Sequence, residues 1–485
     1  MTAFDFIPEW DSAPSRVNAN AFFPVSISAT VREATFSDTL AGILNADPDH
    51  SFDEFKNSFK NLHVIDDEEL AEEIWEAFIL AYSTTSQRGS RASSAEANRY
   101  FIPFHKRVAE LIEIDEARRW HRLYWLLLTT KDGELRLDTH EKLLQCLFDI
   151  SESNLVEELA VRALDDLDGD GYADEPQDLL DEDLPIIYPL IDECGEAFSE
   201  DIEAWTRVFD KESSSRWMRG LRDIINLHYM LYILQVAINL QEEYDNIRHG
   251  KPFDYTFELK PIHFGLKTEQ ASQSREFVKS WNDDNLPRAL YDSWGRLSVM
   301  AELVDLGLSE DTDCENRPYT LTDALNEFSN ELKDRAVENL ISNFPEHQRP
   351  DPAPSLPETA LAFSNVTRRY YENQGQTARS QTAYSAGQNS LYYLGRGSGN
   401  ERHFIERRKR VGTILRFDRG SLALLARVFV EAKDQNRIDD FWTYLRARGI
   451  RLDERSRTEA INQLEGMGLL QRQSDSGEAM YVTTF

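Results

Sequence analysis

Residues 421–432 read SLALLARVFVEA, residues 439–448 DDFWTYLRAR and residues 454–466 ERSRTEAINQLEG. The first run places Leu422, Leu425, Phe429 and either Leu424 or Val428 on one helical face. The second opens on acidic residues, which suit a helix N-terminus, and closes at Gly449, a residue suited to the left-handed conformation past a helix end. Asp453 stands where it can cap the third run, whose Ala460, Ile461, Leu464 and Met467 recur on one side at helical spacing. LLQRQ (469–473) and AMYVT (479–483) then alternate apolar and polar residues about Ser474-Asp475-Ser476-Gly477, a hairpin signature. Three helices followed by a hairpin is the element order of a winged helix.

The third helix is the one such a module lays on a partner. Its wheel turns Arg455, Thr458 and Asn462 away from the apolar side, and Arg and Asn are the residue types that read guanine and adenine edges in the major groove. Arg446, Arg448, Arg451, Arg457 and the hairpin's Arg472 are expected to meet phosphates. Glu454, Glu459 and Glu465 lie beside them and repel a polyanion, so a protein-docking surface is the competing reading. The densest basic run, RHFIERRKR (402–410), reads as a solvated helix face or as a patch that docks on the protein's own acidic part.

Outward from this stretch the composition changes. Residues 367–485 hold 20 basic and 14 acidic residues, a net of +6, whereas residues 1–366 hold 33 and 72, a net of -39. The boundary lies near EHQRPDPAPSLP (346–357), whose four prolines disfavour helix and mark a linker or extended arm. Residues 373–400, rich in Gln, Ser, Gly and Tyr, and residues 83–94 read as loops. The expected organisation is an acidic helical body over 1–345, an arm over 346–400 and a basic winged-helix domain over 401–485.

The body reads as mainly α, with two subdomains as one division of it. Residues 66–81 (DDEELAEEIWEAFILA) carry Leu70, Ile74, Phe78 and Ile79 on one face, and similar runs cover 104–114, 117–128, 140–149, 154–164 and 215–244. The centre of the last, IINLHYMLYILQVAINL (224–240), lacks charge for 17 residues, near the lower limit for a membrane span. Asn226, His228, Gln235 and Asn239 within it favour a buried helix, and no membrane association is expected. PFDYTFELKPIHFG (252–265) alternates aromatic and polar residues and predicts a short strand pair.

The whole chain of 485 residues carries 86 acidic and 53 basic residues, a net charge of -33, and 40 of the basic residues are Arg against 13 Lys. At about 1 M salt the screening length falls to about 3 Å, so such self-repulsion costs little. This composition predicts a halophilic, archaeal source. Three scattered cysteines (Cys146, Cys194, Cys314) exclude a disulfide scaffold and a Cys-rich zinc site and imply a reducing compartment; with no basic and apolar leader at the N-terminus, a cytoplasmic location is expected.

Motifs for chemistry are sparse. The chain has no GxxxxGK[ST], HExxH or GxSxG pattern. Glu258-Leu259-Lys260, with Asp245 and Asp254 upstream, has the residue types of a metal-dependent nuclease, but E-x-K recurs at 331–333 and 431–433 in helical context. One metal motif is more specific. Asp166, Asp168, Asp170, Tyr172 (through its carbonyl) and Asp174 match the oxygen positions of an EF-hand-like calcium loop, with Gly171 at the sharp turn. Gln177 stands where the bidentate Glu belongs, so the expectation is a structural calcium clip within 165–178, with a solvated acidic loop as the alternative. No cofactor is required.

The C-terminal residues also resemble a family. RARGIRLDERSRTEAINQLEGMGLLQRQSDSGEAMYV (446–482), above all SDSGEAMYV (474–482), is similar to the end of DptG, a subunit of DNA phosphorothioation-dependent restriction systems. FIERRKRVGTILRF (404–417) resembles the segment before it, and NLHYMLYILQ (226–235) and FELK…SQSREFVKSW (257–281) do so more loosely. The resemblance implies a non-catalytic subunit that works beside ATPase-type partners to restrict DNA lacking the host's sulfur mark. A stand-alone winged-helix transcription regulator is the alternative from another class, and a nuclease using Glu258 and Lys260 a third.

Overall fold

The computed structural model describes residues 32–44, 50–62, 67–85, 99–101, 120–131, 133–148, 155–168, 189–248, 257–266, 273–274, 330–331, 334–335, 337–338, 394–395, 404–408, 412–433, 436–472 and 480–484. Within these residues the chain is mainly helical. The N-terminal part comprises α1 (Arg32–Ile43), α2 (Phe52–Lys60), α3 (Glu68–Tyr82), β1 (Ser83–Thr85), β2 (Arg99–Phe101), α4 (His121–Leu128), α5 (Leu137–Phe148), α6 (Leu155–Asp168), α7 (Asp192–Thr206) and α8 (Ser214–Arg248). After β3 (Ile262–Phe264) follow β4 (Ile405–Arg408), β5 (Gly412–Leu415), α9 (Arg419–Ala432), α10 (Ile438–Ala447), β6 (Ile450–Leu452), α11 (Glu454–Gly466), β7 (Leu470–Arg472) and β8 (Met480–Val482).

α8 organises the core. At 35 residues it is about 50 Å long, and from Leu221 to Asn239 every side chain is buried. No helix among the described residues is long and apolar enough to cross a membrane. Its polar residues hold other elements: Tyr229 donates to the Trp120 carbonyl (3.1 Å), and Tyr232 accepts from the Leu190 amide (3.3 Å). At its N-terminal end Trp205 and Trp217 exchange hydrogen bonds, each indole donating to the other's carbonyl at 3.0 and 3.1 Å. Gly220 permits this approach, since a Cβ there would lie 2.0 Å from the Trp205 ring.

A second, smaller core joins α2, α3 and α6 through Phe55, Phe59, Trp75, Phe78 and Leu164. Ser51 starts α2 with a capping box to Glu54, and Phe55 stands edge-on to Trp75 and Phe78 at 5.7 and 5.8 Å. The buried face of α3 is Ala71, Trp75, Phe78 and Ile79, while Leu70, expected on it, is exposed. The stripe lies one position round from the expected one, because the indole of Trp75 fills the contact with α2.

The C-terminal elements share the larger core with α7 and α8, so the 401–485 segment, expected as a separate domain, is continuous with the body in its packing. β3 pairs in parallel with β6, His263 opposite Arg451, so the strand in 252–265 finds a partner at 450–452, while residues 252–256 of the expected strand pair lie outside the described residues. β4 and β5 pair antiparallel, and the basic run at 402–410 therefore contributes a strand over 405–408 where a helix face was expected. Ile405 is buried there, under Gly395. α9 buries Leu424 and Val428 as well as Leu422, Leu425 and Phe429, because it is packed on both α7 and α11. β7 and β8 pair antiparallel, and Arg437, just before α10, bridges to Tyr481 at their edge. The expected loop at 83–94 begins as β1, which pairs with β2. The expected helix over 104–114 and the prolines of 346–357 lie outside the described residues.

Candidate nucleic-acid interface

α11 is fixed on three sides. Asp453 accepts the Ser456 amide at 2.7 Å, capping the helix, and Ser456, Ala460 and Leu464 are buried against α9 and β6. Arg457 lies with its guanidinium 5.9 Å from the Trp442 ring of α10 and is half-buried. That leaves the outward stripe: Arg455, Thr458 and Asn462, spaced three and four apart, are all exposed. The Thr458 hydroxyl donates to the Glu454 carbonyl at 3.0 Å, so its methyl and Arg455 and Asn462 form the presented surface.

The other basic residues proposed for phosphate contact separate into two groups. Arg446 is exposed, donating to Thr443 Oγ1 at 2.6 Å. Arg472 is exposed too, but its Nε donates to Glu465 at 2.6 Å, and that bond raises its pKa. Arg451 is half-buried on β6 beside His263, whose pKa is lowered by burial and by the Arg451 charge. Arg448 does not belong to this surface at all. It is 3% exposed and points into the body, so its assignment to phosphate is corrected.

Arg448 is instead the centre of a buried ionic cluster. Its Nε donates to Asp201 Oδ2 at 2.8 Å, and its Nη2 bonds to Asp201 Oδ1 and, at 2.7 Å, to Glu200. Tyr444 lies under the guanidinium and donates its hydroxyl to Asp201 Oδ1 at 2.7 Å, while His228 Nε2 meets Oδ2 at 2.8 Å. Burial alone would raise the Asp201 pKa, but the Arg448 charge and the hydrogen bonds from His228 and Arg448 hold it well below the usual carboxylate range. The cluster ties α7, α8 and α10 together at one point.

Flanking it, Lys433 pairs with Glu200, Arg427 with Glu212, and Lys211 with Glu431 at 2.7 Å. The charge contrast between the two parts of the sequence is thus partly neutralised within the molecule. Sequence reasoning placed His228 correctly among buried residues but had no signal for Asp201 or Tyr444, ordinary members of amphipathic runs.

One more device fixes the neighbourhood. Gln235 and Asn239, one turn apart on α8, each donate to and accept from the backbone of one residue: Gln235 binds Lys260 (2.6 and 2.8 Å) and Asn239 binds Glu258 (2.9 and 3.0 Å). The two amides act as a strand partner for this segment. The Lys260 ammonium pairs with Glu242 at 2.9 Å and Glu258 at 3.4 Å, so the E-x-K residues form a part-exposed ion pair on a structural segment. Gly449 closes the arrangement: its φ is +73°, and a Cβ there would lie 2.3 Å from Gln235 Nε2.

Of the aspartate loop, Asp166 is exposed in the last turn of α6, and Asp168 ends that helix. Asp170, Tyr172 and Asp174 lie outside the described residues. Among the described residues no group of three or more His, Cys, Asp or Glu is arranged to hold a metal ion. Cys194 is buried, which with the Glu193 charge pushes its thiol pKa up, and Cys146 is half-buried; Cys314 lies outside the described residues. No protein-family model matches the chain, and no curated protein matches it either.

Proposed function

We propose that the protein is a non-catalytic, DNA-engaging subunit of a phosphorothioation-dependent restriction complex, acting in the cytoplasm of a high-salt archaeon. The helical body carries ATPase-type partner subunits. Residues 419–484 act as a winged helix, with α9, α10 and α11 as its helices, β7 and β8 as its wing and Arg437 as the short third strand. α11 is its recognition helix. The observation that carries this reading is the exposed Arg455–Thr458–Asn462 stripe on a helix whose other sides are capped, buried or stacked. Such rigidity suits groove recognition, where a side chain is useful only if its backbone is held in register.

The partner assignment rests on the resemblance of residues 404–417 and 446–482 to DptG. Affinity purification of the tagged chain from its source organism at native salt tests it. Recovery of two ATPase-type subunits, together with loss of restriction of unmodified DNA on deleting the gene, is the expected result. Recovery of the chain alone, with altered transcription of neighbouring genes, would replace the complex by a stand-alone regulator.

A further inference from the structure

Gly466 continues the outward line of α11. Arg455, Thr458, Asn462 and Gly466 follow one another at intervals of three, four and four residues, and all four are exposed. Gly466 is the last residue of the helix, and outside its own turn no described atom lies within 4 Å of where its Cβ would stand. The left-handed turn after the helix belongs to Gly468, with φ +74°, and not to Gly466. Nothing in the described fold therefore requires a glycine at 466, where alanine is the better helix former. A bare position on an exposed helical line lets another surface come up against the helix backbone.

The side chains on this line face outward with little to hold them. Among the described residues Arg455 and Asn462 make no hydrogen bond or ion pair. Thr458 donates its hydroxyl to the Glu454 carbonyl at 3.0 Å, which leaves its methyl for contact. The glutamates of α11 stand to the sides. Glu465 accepts from Arg472 Nε at 2.6 Å, Glu459 is half-buried and accepts from Gln463 at 3.0 Å, and Glu454 lies about 100° round the helix from Arg455.

Helix geometry converts this line into a spacing. At about 1.5 Å per residue, Thr458 is about 4.5 Å and Asn462 about 10.5 Å along the axis from Arg455. Base pairs rise by about 3.4 Å, so these distances are about one and about three steps of a duplex whose groove follows the helix. Arg suits guanine O6 and N7, Asn suits adenine N6 and N7, and the Thr methyl suits the thymine methyl. Resting on the reading of α11 as a recognition helix, we infer that the protein selects duplex DNA with a G·C pair for Arg455 and an A·T pair for Asn462 about three steps away. A thymine methyl about one step from the guanine meets Thr458. Gly466 is left bare so that the end of α11 lies flush against the wall of the groove.

The test is selection of bound duplexes from a randomised library by the complex purified through the full, tagged chain at native salt, followed by titration of the selected duplex. Wild type is expected to enrich guanine and, about three positions away, adenine or its partner thymine. Arg455→Ala should lose the guanine preference and keep the adenine one, and Asn462→Ala the converse, each weakening the selected duplex about fivefold or more. Gly466→Ala is expected to weaken every duplex by about fivefold while the urea midpoint of the full chain holds or rises, a combination that a glycine needed only for folding does not give. Duplex binding without that spacing, or R455A and N462A keeping the wild-type preference, overturns the base assignment and leaves α11 a DNA-binding helix. Undiminished affinity in G466A overturns the close approach at that position. Retention of no duplex by wild type overturns the recognition-helix reading and this inference with it.

Discussion

Replacing Arg448 with Met removes the guanidinium and keeps most of the apolar stem. In the native cluster that group makes two hydrogen bonds to Asp201, one to Glu200 and one to the Tyr444 carbonyl at 2.9 Å. Without it the Asp201 carboxylate stays buried with only His228 Nε2 and the Tyr444 hydroxyl against it. Leaving one member of a buried ion pair uncompensated costs about 3–5 kcal/mol. Set against the roughly 5–15 kcal/mol that separates folded from unfolded proteins, this is a large loss. Lys433→Met, which breaks a part-exposed pair with the neighbouring Glu200, costs under about 1 kcal/mol on the same argument. The assay is urea unfolding at fixed molar KCl, urea being uncharged, with the shift in midpoint converted through the common slope. Screening at that salt removes most of the Lys433 effect and little of the Arg448 effect. Asp201→Asn combined with Arg448→Met, which removes both charges and leaves an amide oxygen for Tyr444, is expected to recover about half of the loss. If R448M unfolds as easily as K433M and no more so, the cluster does not hold the C-terminal elements on the body and the reasoning is refuted.

Three further outcomes follow from single sites. Gly449→Ala forces a Cβ against Gln235 Nε2 in a left-handed conformation, and a loss of about 2–4 kcal/mol in urea unfolding is expected, a neutral effect contradicting the closure described for this turn. Burial lowers the His140 pKa to about 4, whereas the unfolded chain takes up that proton near 6.5. Between these values the unfolded state holds more protons, so stability falls as pH drops from 6.5 to 4, by up to about 3 kcal/mol, and His140→Gln should flatten that part of the pH profile; identical profiles would refute it. The Asp201 contribution is present at neutral pH and is lost only further down, as pH falls through its depressed pKa. Finally, calcium at constant ionic strength should raise Tm, and Asp168→Asn with Asp170→Asn should abolish the rise, whereas an unchanged Tm leaves a solvated loop.

Local pattern carried much of the architecture. The uncharged run at 224–240 reads as a buried helix, and its polar residues prove to be anchors: His228 for Asp201, Gln235 and Asn239 for the 257–261 segment. The caps at Asp453 and the turn at Gly449 were legible because both follow from backbone chemistry. Pairing between distant segments was not. Alternation in 252–265 announces a strand but says nothing of its partner, and β3 finds β6 nearly two hundred residues away. Nor can a helical wheel distinguish a solvated arginine from one aimed at a buried carboxylate. Arg446 and Arg448 look alike in sequence; one is exposed and the other reaches Asp201.

The most direct test of the central claim is duplex DNA binding by the assembled complex at native salt, comparing wild type with Arg455→Ala/Asn462→Ala, alongside recovery of partner subunits in the same preparations. Phosphate neutralisation gives little affinity at molar salt, because binding falls with a log–log slope of about 0.9 per phosphate neutralised, so direct base contacts must supply a large share. The double variant is therefore expected to keep its partners and to bind DNA at least about tenfold more weakly, two base contacts at about 1–3 kcal/mol each being removed. Retained DNA affinity with loss of a partner subunit would contradict the account and make the α11 stripe a protein interface.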